Sequence, residues 1–243
     1  QTLFPQVLLA PLIRRDQPIL LPDNRHEYVA AIDPATRGNA WTLVVCDRLG
    51  RKKRVCLATQ WQGTPINPLS PRAVLTEVKE VLTPYGLSWA YTDQWAADAL
   101  KDIAAEVGLD LSVEDWTEKG TVDAFLSLAT AMADRTIEIP DDPIFLKDLR
   151  LTKKFATHRG VSIRLARTPD GRHCDYAPAL ARAVFRWIQD EQVLLLKEGE
   201  KGYWDQWAVA QEAREVQQLI AQENDPWWAK DPRRITATTS MSR

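Results

Sequence analysis

The chain has little of what would place it at once in a membrane, secreted or zinc-binding class. No apolar run reaches the length of a transmembrane helix, and the first residues lack the pattern of a secretory signal. No Cys-x-x-Cys pair occurs among its 3 cysteines. Cys46 and Cys56, on neighbouring strand-like runs, could pair across a hairpin, but the odd total fits a reducing cytosol better. These absences predict a soluble, intracellular protein without a structural zinc site.

Two further absences concern nucleotides and nucleic acids. The phosphate-binding pattern G-x-x-x-x-G-K-[ST] does not occur, so this chain is not expected to hydrolyse ATP. The net charge is −2, which gives no overall basic character of the kind expected of a nucleic-acid-binding domain. The distribution of charge matters more than its sum, and much of the positive charge lies in residues 48–54 and 150–160.

The chain does have enough apolar sequence for a full core. Of its 243 residues, 45% are hydrophobic, which suits one large domain or one domain with an appendage. Residues 1–27 are interpreted as a linker or the remnant of a preceding domain. Residues 28–192 form the predicted domain. Residues 193–243 are predicted to contain one helix, over 205–223, and a flexible tail.

Strand-like and helix-like segments follow one another in an order typical of an α/β protein. Buried or alternating apolar runs predict strands at 28–33, 40–47, 54–61, 88–93 and 109–116. Apolar residues at helical spacing predict helices at 71–86, 96–108, 118–135 and 175–192. This order predicts a mixed β-sheet flanked by helices on both faces.

The segment before the last of these helices is predicted to form a hairpin. Residues 161–168 alternate like a strand, and Pro169-Asp170-Gly171 after them is typical of a tight turn. The hairpin would then return through residues 172–174. Residues 141–155, which precede it, resemble a helix at their start.

Three aspartates stand at the ends of predicted elements. Asp33 and Asp93 each close a strand, and Asp175 opens a helix. Residues placed in this way can meet at one edge of a sheet although they are far apart in sequence. Three converging carboxylates provide the hard oxygen ligands that Mg²⁺ and Mn²⁺ prefer, and two such ions can drive in-line displacement at a phosphodiester. Taken singly, each aspartate could instead be a turn residue or a helix cap.

Other side chains near these aspartates are candidates for supporting roles. His173 could be an additional metal ligand or a neighbour of the ligands, or it could be a histidine at a hairpin edge that faces water. Basic side chains in the two positively charged stretches could contact DNA phosphates without reading sequence, or could serve only as solubilising charges. These basic residues are Arg51, Lys52, Lys53, Arg54, Lys153, Lys154 and Arg159.

Four segments of the chain carry a resemblance to a known family. In chain order they are AIDPATRGNAWTLVV, YTDQWAADALKDIAAEVG, GTVDAFLSLATAMADRTIEIPDDP and RHCDYAPALARAV. Taken together, they resemble the nuclease domain of the large terminase subunit of tailed bacteriophages, which has an RNase H-like fold. They resemble, in turn, that family's first two strands with the first catalytic aspartate, its second catalytic acid with the following helix, its long helix with a short strand, and its His-Asp-Asp segment heading the last core helix. Cys174 stands at the middle position of that last segment.

The resemblance covers residues 28–190 and implies a function. It implies that Asp33, Asp93 and Asp175 are both catalytic residues and ligands of two Mg²⁺ or Mn²⁺ ions. The expected activity is endonucleolytic cleavage of double-stranded viral DNA during genome packaging in the host cytoplasm. A packaging ATPase domain, a portal protein and a small terminase subunit are the implied partners.

The same resemblance leaves alternatives open. Because the chain has no ATPase motif and does not begin with Met, we expect it to be a nuclease domain separated from its motor. Another RNase H-like nuclease, such as a Holliday-junction resolvase, would show similar segments. A catalytically idle RNase H-like module that binds DNA or a portal would show them too.

Overall fold

The structure of the protein is a computed structural model, and it describes residues 1–34, 40–49, 52–64, 66–94, 97–114, 117–158, 160–167 and 173–194. The chain divides into two units, Gln1–Ile188 and Gln189–Arg243. The helix predicted at 205–223 and the tail after it lie outside the described residues.

Seven strands of the first unit form one mixed sheet. The strands are β1 (Ile13–Arg14), β2 (Tyr28–Asp33), β3 (Ala40–Leu49), β4 (Lys52–Gln62), β5 (Trp89–Asp93), β6 (Asp110–Glu114) and β7 (Ile137–Pro140). Their order across the sheet is β1-β7-β4-β3-β2-β5-β6. The central strands β2, β3 and β4 form an antiparallel meander, and β5 and β6 extend the sheet in parallel from β2. On the other side, β7 runs parallel to β4, and β1 parallel to β7.

Helices cover both faces of this sheet, as the sequence predicts. The helices are α1 (Gln6–Leu9), α2 (Pro71–Leu82), α3 (Ala97–Val107), α4 (Glu118–Ala133), α5 (Pro143–Leu151) and α6 (Tyr176–Leu194). One apolar cluster joins the sheet to α2 and α3, and a second joins it to α1, α4, α5 and α6. Among the described residues, no helix combines the length and apolar character needed to cross a membrane.

The alternation of β2 determines which face each of its residues occupies. Val29 and Ala31 belong to the cluster beneath α6, whereas Ala30 and Ile32 belong to the cluster beneath α2 and α3. Because successive side chains of a strand point to opposite faces, Asp33 continues the row of Val29 and Ala31. The aspartate that closes β2 therefore lies on the face that α6 covers.

The same alternation explains the state of the cysteines. Cys46 lies in the cluster on the α6 face and Cys56 in the cluster on the opposite face. Their thiols point away from each other across the sheet, so no disulfide joins them. All three cysteines, including Cys174, are buried and free.

The sequence signals around α2 are reproduced in the structure. Ser70 caps the helix by accepting a hydrogen bond from the N–H of Ala73, and Pro71 occupies the first helical position, where a missing N–H costs nothing. A 3₁₀ turn over Thr83–Tyr85 follows the helix. Gly86 then ends it with a φ of 70°, a conformation that favours glycine.

The amino-terminal residues pack more closely than a linker would. Phe4 and Leu9 are fully buried, and the ring of Phe4 lies 6.5 Å from that of Phe125 in α4. β1 pairs with β7, more than a hundred residues away along the chain. At least residues 1–14 therefore contribute to the core, while the domain boundaries proposed from the sequence stay a prediction.

The predicted hairpin exists, but it pairs a different strand. β8 (Thr152–Thr157) follows α5 directly and pairs antiparallel with β9 (Gly160–Leu165). The prediction that 161–168 is the first strand of a hairpin turning at 169–171 is therefore wrong. The turn falls before β9, where Gly160 has a φ of 121°. Such a φ strains residues that carry a Cβ, so this glycine favours a tight turn there.

Candidate active site

Asp33 and Asp93 meet through the pairing of two parallel strands. Ala31 of β2 lies opposite Tyr91 of β5, so the aspartates two residues further along each strand lie side by side. Neighbouring strands are about 4.8 Å apart. Tyr91 packs against the cluster on the α6 face, which places Asp93 on the same face as Asp33.

Asp175 reaches this place from the other direction, at the start of α6. Its Oδ2 accepts a hydrogen bond of 3.2 Å from the N–H of Ala40, the first residue of β3. Its backbone carbonyl accepts one of 2.9 Å from the hydroxyl of Thr42, which is buried. Thr42 lies directly opposite Asp33 in the pairing of β2 with β3. These contacts bring Asp175 to the same end of the sheet, and we call Asp33, Asp93 and Asp175 the acidic site.

A buried arginine lies among these carboxylates. The side chain of Arg182, seven residues after Asp175 in α6, is 1% exposed, whereas that of Asp93 is 17% exposed. One terminal nitrogen, Nη1, donates to the carbonyl of Ile32 at 3.0 Å. The other, Nη2, lies 3.8 Å from Oδ2 of Asp93. Arg182 therefore places positive charge between the end of β2 and the carboxylate of Asp93 on β5.

The electrostatics of the acidic site are consistent with this crowding. Burial raises the pKa of Asp33 to about 8; the positive charge of Arg182 opposes this rise, and the negative charges of Asp93 and Asp175 add to it. The Asp33 side chain nevertheless keeps a partly exposed surface. A site with this excess of negative charge has a lower electrostatic energy when a cation is bound.

Asp148 in α5 supports the start of α6. It is fully buried, and its Oδ2 accepts a hydrogen bond of 3.2 Å from the N–H of Tyr176, the first residue of α6. The Sγ of Cys174 donates to the carbonyl of Ala166 at 2.8 Å and is buried, so it packs rather than reacts. The segment that carries Asp175 is thus held on both sides.

Sequence reasoning missed three of these supporting residues, Thr42, Asp148 and Arg182. A threonine in a β-branched strand and an aspartate in a helix carry no distinctive pattern. The burial of Arg182, by contrast, can be predicted from the sequence around it. This arginine stands in ALARAVF, a run of small and apolar residues that predicts a buried helix face. An arginine within such a run needs a buried anionic or carbonyl partner.

The donor set of the acidic site fits a hard divalent cation in type and charge. Carboxylate oxygens are what Mg²⁺ and Mn²⁺ prefer. Burial is the main cause of the raised pKa of Asp33, and the negative charges of Asp93 and Asp175, which add to the rise, are charges that a cation would neutralise. As the side chains stand, however, no group of three or more His, Cys, Asp or Glu within the described ranges is arranged to hold a metal ion. The carboxylates converge, but they do not yet form a closed set of ligands.

His173 is partly buried and stands two residues before Asp175 in the chain. Burial lowers its pKa, and the positive charge of Arg167 lowers it further. Its Nε2 is buried without a hydrogen-bond partner among the residues that the structure describes. A neutral imidazole with a buried nitrogen suits either a metal ligand or a neighbour of one. Its auxiliary role stays a prediction.

The basic residues of the β3–β4 hairpin lie at the opposite end of the sheet from the acidic site. β3 has 10 residues, and at about 3.3 Å per residue its two ends are roughly 30 Å apart. Lys52 pairs with Glu138 at 2.6 Å, Arg54 pairs with Asp47, and Lys53 is buried. Arg51 lies outside the described residues. Intramolecular contacts thus engage Lys52 and Arg54, and the prediction that they contact DNA stays untested.

The second basic group lies on the β8–β9 hairpin. Lys153 is exposed and lies opposite Arg164, whose guanidinium stacks 4.8 Å from the ring of Phe155. The backbone of Lys154 pairs with that of Gln1. Arg159 falls outside the described part of the chain. This hairpin precedes Asp175 in the chain and offers exposed positive charge.

Solved structures with this fold come from bacteriophage large terminases. The large terminase nuclease of thermophilic phage G20c gives a TM-score of 0.60 at 19% identity, over 76% of this chain and 98% of that one. The large terminase nuclease domain of Thermus phage P74-26 gives 0.56 at 20% identity, over 75% and 94%. The HK97 bacteriophage large terminase gives 0.63 at 13% identity, over 76% of this chain and 43% of that one.

These likenesses establish the fold. The chain has the RNase H-like α/β fold of the large terminase nuclease domains, as its four segments predict. The G20c nuclease has also been solved with bound magnesium, cobalt and zinc. No protein-family model matches the chain, and no curated protein matches it.

Proposed function

We propose that this protein is a metal-dependent endonuclease that cleaves double-stranded viral DNA during genome packaging. The observation that carries the proposal is the convergence of Asp33, Asp93 and Asp175 on one face, at one end of the sheet. The fold shared with large terminase nucleases supports this class of hydrolase. The metal-bound structures of the G20c nuclease support a requirement for divalent ions.

Each residue of the acidic site has a defined task in this proposal. Asp33, Asp93 and Asp175 would hold Mg²⁺ or Mn²⁺, which supplies activated water and neutralises charge that develops at the scissile phosphate. The contacts from Ala40 and Thr42 orient Asp175. His173, with its lowered pKa, is the candidate for an additional neutral ligand.

The partners follow from the proposed reaction. The substrate is double-stranded DNA, and the exposed Lys153 of the β8–β9 hairpin is a candidate phosphate contact. A packaging ATPase domain, a portal protein and a small terminase subunit would complete the packaging machine, which would act in the host cytoplasm. The large terminases among the structural neighbours support this set of partners.

A plasmid cleavage assay tests the proposal. Supercoiled plasmid is incubated with the protein in Mg²⁺, in Mn²⁺ and in EDTA, and a four-way junction is offered as a second substrate. Asp33→Asn is compared with Asp110→Asn, which alters an exposed strand aspartate at the start of β6.

We expect cleavage by the wild type and by Asp110→Asn in either metal, no cleavage in EDTA, and a loss of about a hundredfold or more in Asp33→Asn. Because Asn has the size of Asp, the variant should remain folded. Unchanged cleavage by folded Asp33→Asn would remove this residue from the site. A strong preference for the junction would instead assign the protein to the resolvases.

One observation favours a second candidate function, a catalytically idle module that binds DNA or a portal. Within the described ranges, the acidic side chains are not arranged to hold a metal ion. Calorimetric titration with Mn²⁺ separates the two functions. Saturable Mn²⁺ binding that is lost in Asp33→Asn supports the endonuclease, whereas DNA binding without either Mn²⁺ binding or cleavage supports the idle module.

A further inference from the structure

We propose that Arg182 is a positioning residue that holds the acidic site together before metal binds and opposes the entry of the divalent ion. In this role it sets how strongly the site binds metal. The inference rests on the proposed function, because it takes Asp33, Asp93 and Asp175 as the metal ligands.

The first argument is the cost of burying this side chain. Arg182 is 1% exposed, and an arginine always carries its charge. Charges taken out of water are tolerated only when paired and hydrogen-bonded, and well-packed apolar residues usually stabilise a core at least as well. A purely structural requirement at this position of α6 would therefore be met by leucine or methionine. The carboxylates on the facing strands explain why a cation stands there instead.

The second argument is the geometry of the guanidinium fork. One nitrogen donates to the carbonyl of Ile32, the residue before Asp33, and the other lies 3.8 Å from the carboxylate of Asp93. A single rigid group thus bridges the two strands that carry the first two acids. A lysine offers one compact ammonium and cannot reproduce both contacts in the same way.

The third argument is electrostatic. The guanidinium of Arg182 lies 3.8 Å from the carboxylate of Asp93 and donates to the carbonyl of the residue before Asp33, so its positive charge stands next to two of the three carboxylates. Three carboxylates near one another repel, and a fixed cation among them reduces that repulsion in the metal-free protein. A divalent ion that enters the same site is repelled by that fixed cation, and this repulsion is stronger in a partly dry site than in water.

These arguments predict opposite effects on stability and on metal affinity. Replacing Arg182 with glutamine keeps a donor for the Ile32 carbonyl but removes the charge. The metal-free protein should then unfold at a lower temperature, because the carboxylates lose their counter-charge. The affinity for Mn²⁺ should rise, by about tenfold or more, because the repulsion is gone. A residue with only a structural role would not tighten metal binding.

The experiment measures Mn²⁺ binding without DNA by isothermal titration calorimetry, together with thermal unfolding in EDTA and in Mn²⁺. The variants are Arg182→Gln and the charge-conserving Arg182→Lys. Arg54→Gln is the matched control, because Arg54 pairs with the buried Asp47 at the far end of the sheet. It should lose stability without any change in Mn²⁺ affinity.

Tighter Mn²⁺ binding by Arg182→Gln, with affinity near that of the wild type in Arg182→Lys, supports the inference. Equal or weaker binding by folded Arg182→Gln overturns it while leaving the proposed function intact. Absence of Mn²⁺ binding by the wild type overturns the proposed function and this inference with it.

A second comparison applies if Arg182→Gln does not fold. Asp93→Asn removes one carboxylate, and the double variant Asp93→Asn/Arg182→Gln then removes the arginine charge from a less acidic site. The double variant should bind Mn²⁺ more tightly than Asp93→Asn alone. Equal binding by the two overturns the inference.

Discussion

Thr42→Val removes a single hydroxyl from the support of the acidic site. In β3, the Thr42 hydroxyl donates to the backbone carbonyl of Asp175 at 2.9 Å, and the side chain is 1% exposed. Valine has nearly the same shape and suits a strand at least as well, so packing and strand propensity are retained. The substitution therefore isolates one hydrogen bond between the sheet and the start of α6.

The magnitude follows from burial. Leaving a buried carbonyl without this donor costs about 1–3 kcal/mol. For a chain of this size, such a loss lowers Tm by roughly 2–12 °C. The effect on cleavage should be larger than the loss of stability alone would give, because Asp175 also loses its alignment with Asp33. A small misplacement of a catalytic group can cost about a hundredfold in rate.

Two measurements on purified protein test this reasoning, thermal unfolding and the initial rate of plasmid cleavage below the Tm of the variant. The control is Thr76→Val in α2, where an exposed threonine donates to the carbonyl of Arg72 at 2.8 Å. The control should change Tm little and leave cleavage intact. If both variants lost equal stability, or if Thr42→Val cleaved at the wild-type rate, the argument from burial and alignment would fail.

Two further predictions concern supporting residues. Burial raises the pKa of Asp47, but hydrogen bonds from Arg54 and His26, together with the charge of Arg54, outweigh it and lower the pKa. The stability that these contacts contribute is therefore present above the unfolded pKa and is lost as the pH falls through the lower pKa of the folded state. Arg54→Met should lower the free energy of unfolding, measured in urea, by about 3 kcal/mol at pH 7 and by less at acidic pH. A loss of stability that does not change with pH would contradict this reasoning. Asp148→Ala removes the acceptor of the Tyr176 N–H, whereas Asp142→Ala removes that of Phe145 at the start of α5. Each substitution should lower the free energy of unfolding by about 1 kcal/mol. Only Asp148→Ala should slow cleavage, and equal cleavage rates for the two variants would show that Asp148 does not support the acidic site.

The sequence predicts those parts of the fold in which local pattern and tertiary structure agree. Strand β2 matches its predicted bounds, and α2 and α6 match theirs within a few residues at the carboxyl end. All three aspartates fall at element ends because strands terminate and helices begin where polar residues replace an apolar period. The mixed sheet follows from the order of these elements.

The parts that the sequence does not predict depend on distant partners. Phe4 and Leu9 belong to no clear period, and their burial depends on α4, which lies more than a hundred residues later. β8 is not among the strands that the sequence predicts, and its pairing with β9 depends on the turn that precedes Gly160. Arg182 carries a signal of burial, but its partners, the Ile32 carbonyl and Asp93, lie on two strands that only the fold brings together.

Helix α6 links the stability of the fold to the chemistry of the acidic site. Asp175 stands immediately before it, where the positive end of the helix dipole favours a carboxylate, and Asp148 accepts the N–H of Tyr176 at its first turn. About two turns further along α6, Nη2 of Arg182 lies 3.8 Å from the carboxylate of Asp93, on the sheet face that α6 covers. A shift of α6 by one residue would rotate it by about 100° and separate both contacts at once. The third carboxylate and its counter-charge are therefore in place only while α6 is docked on the sheet, so the site is assembled by the packing of this helix rather than by any one loop.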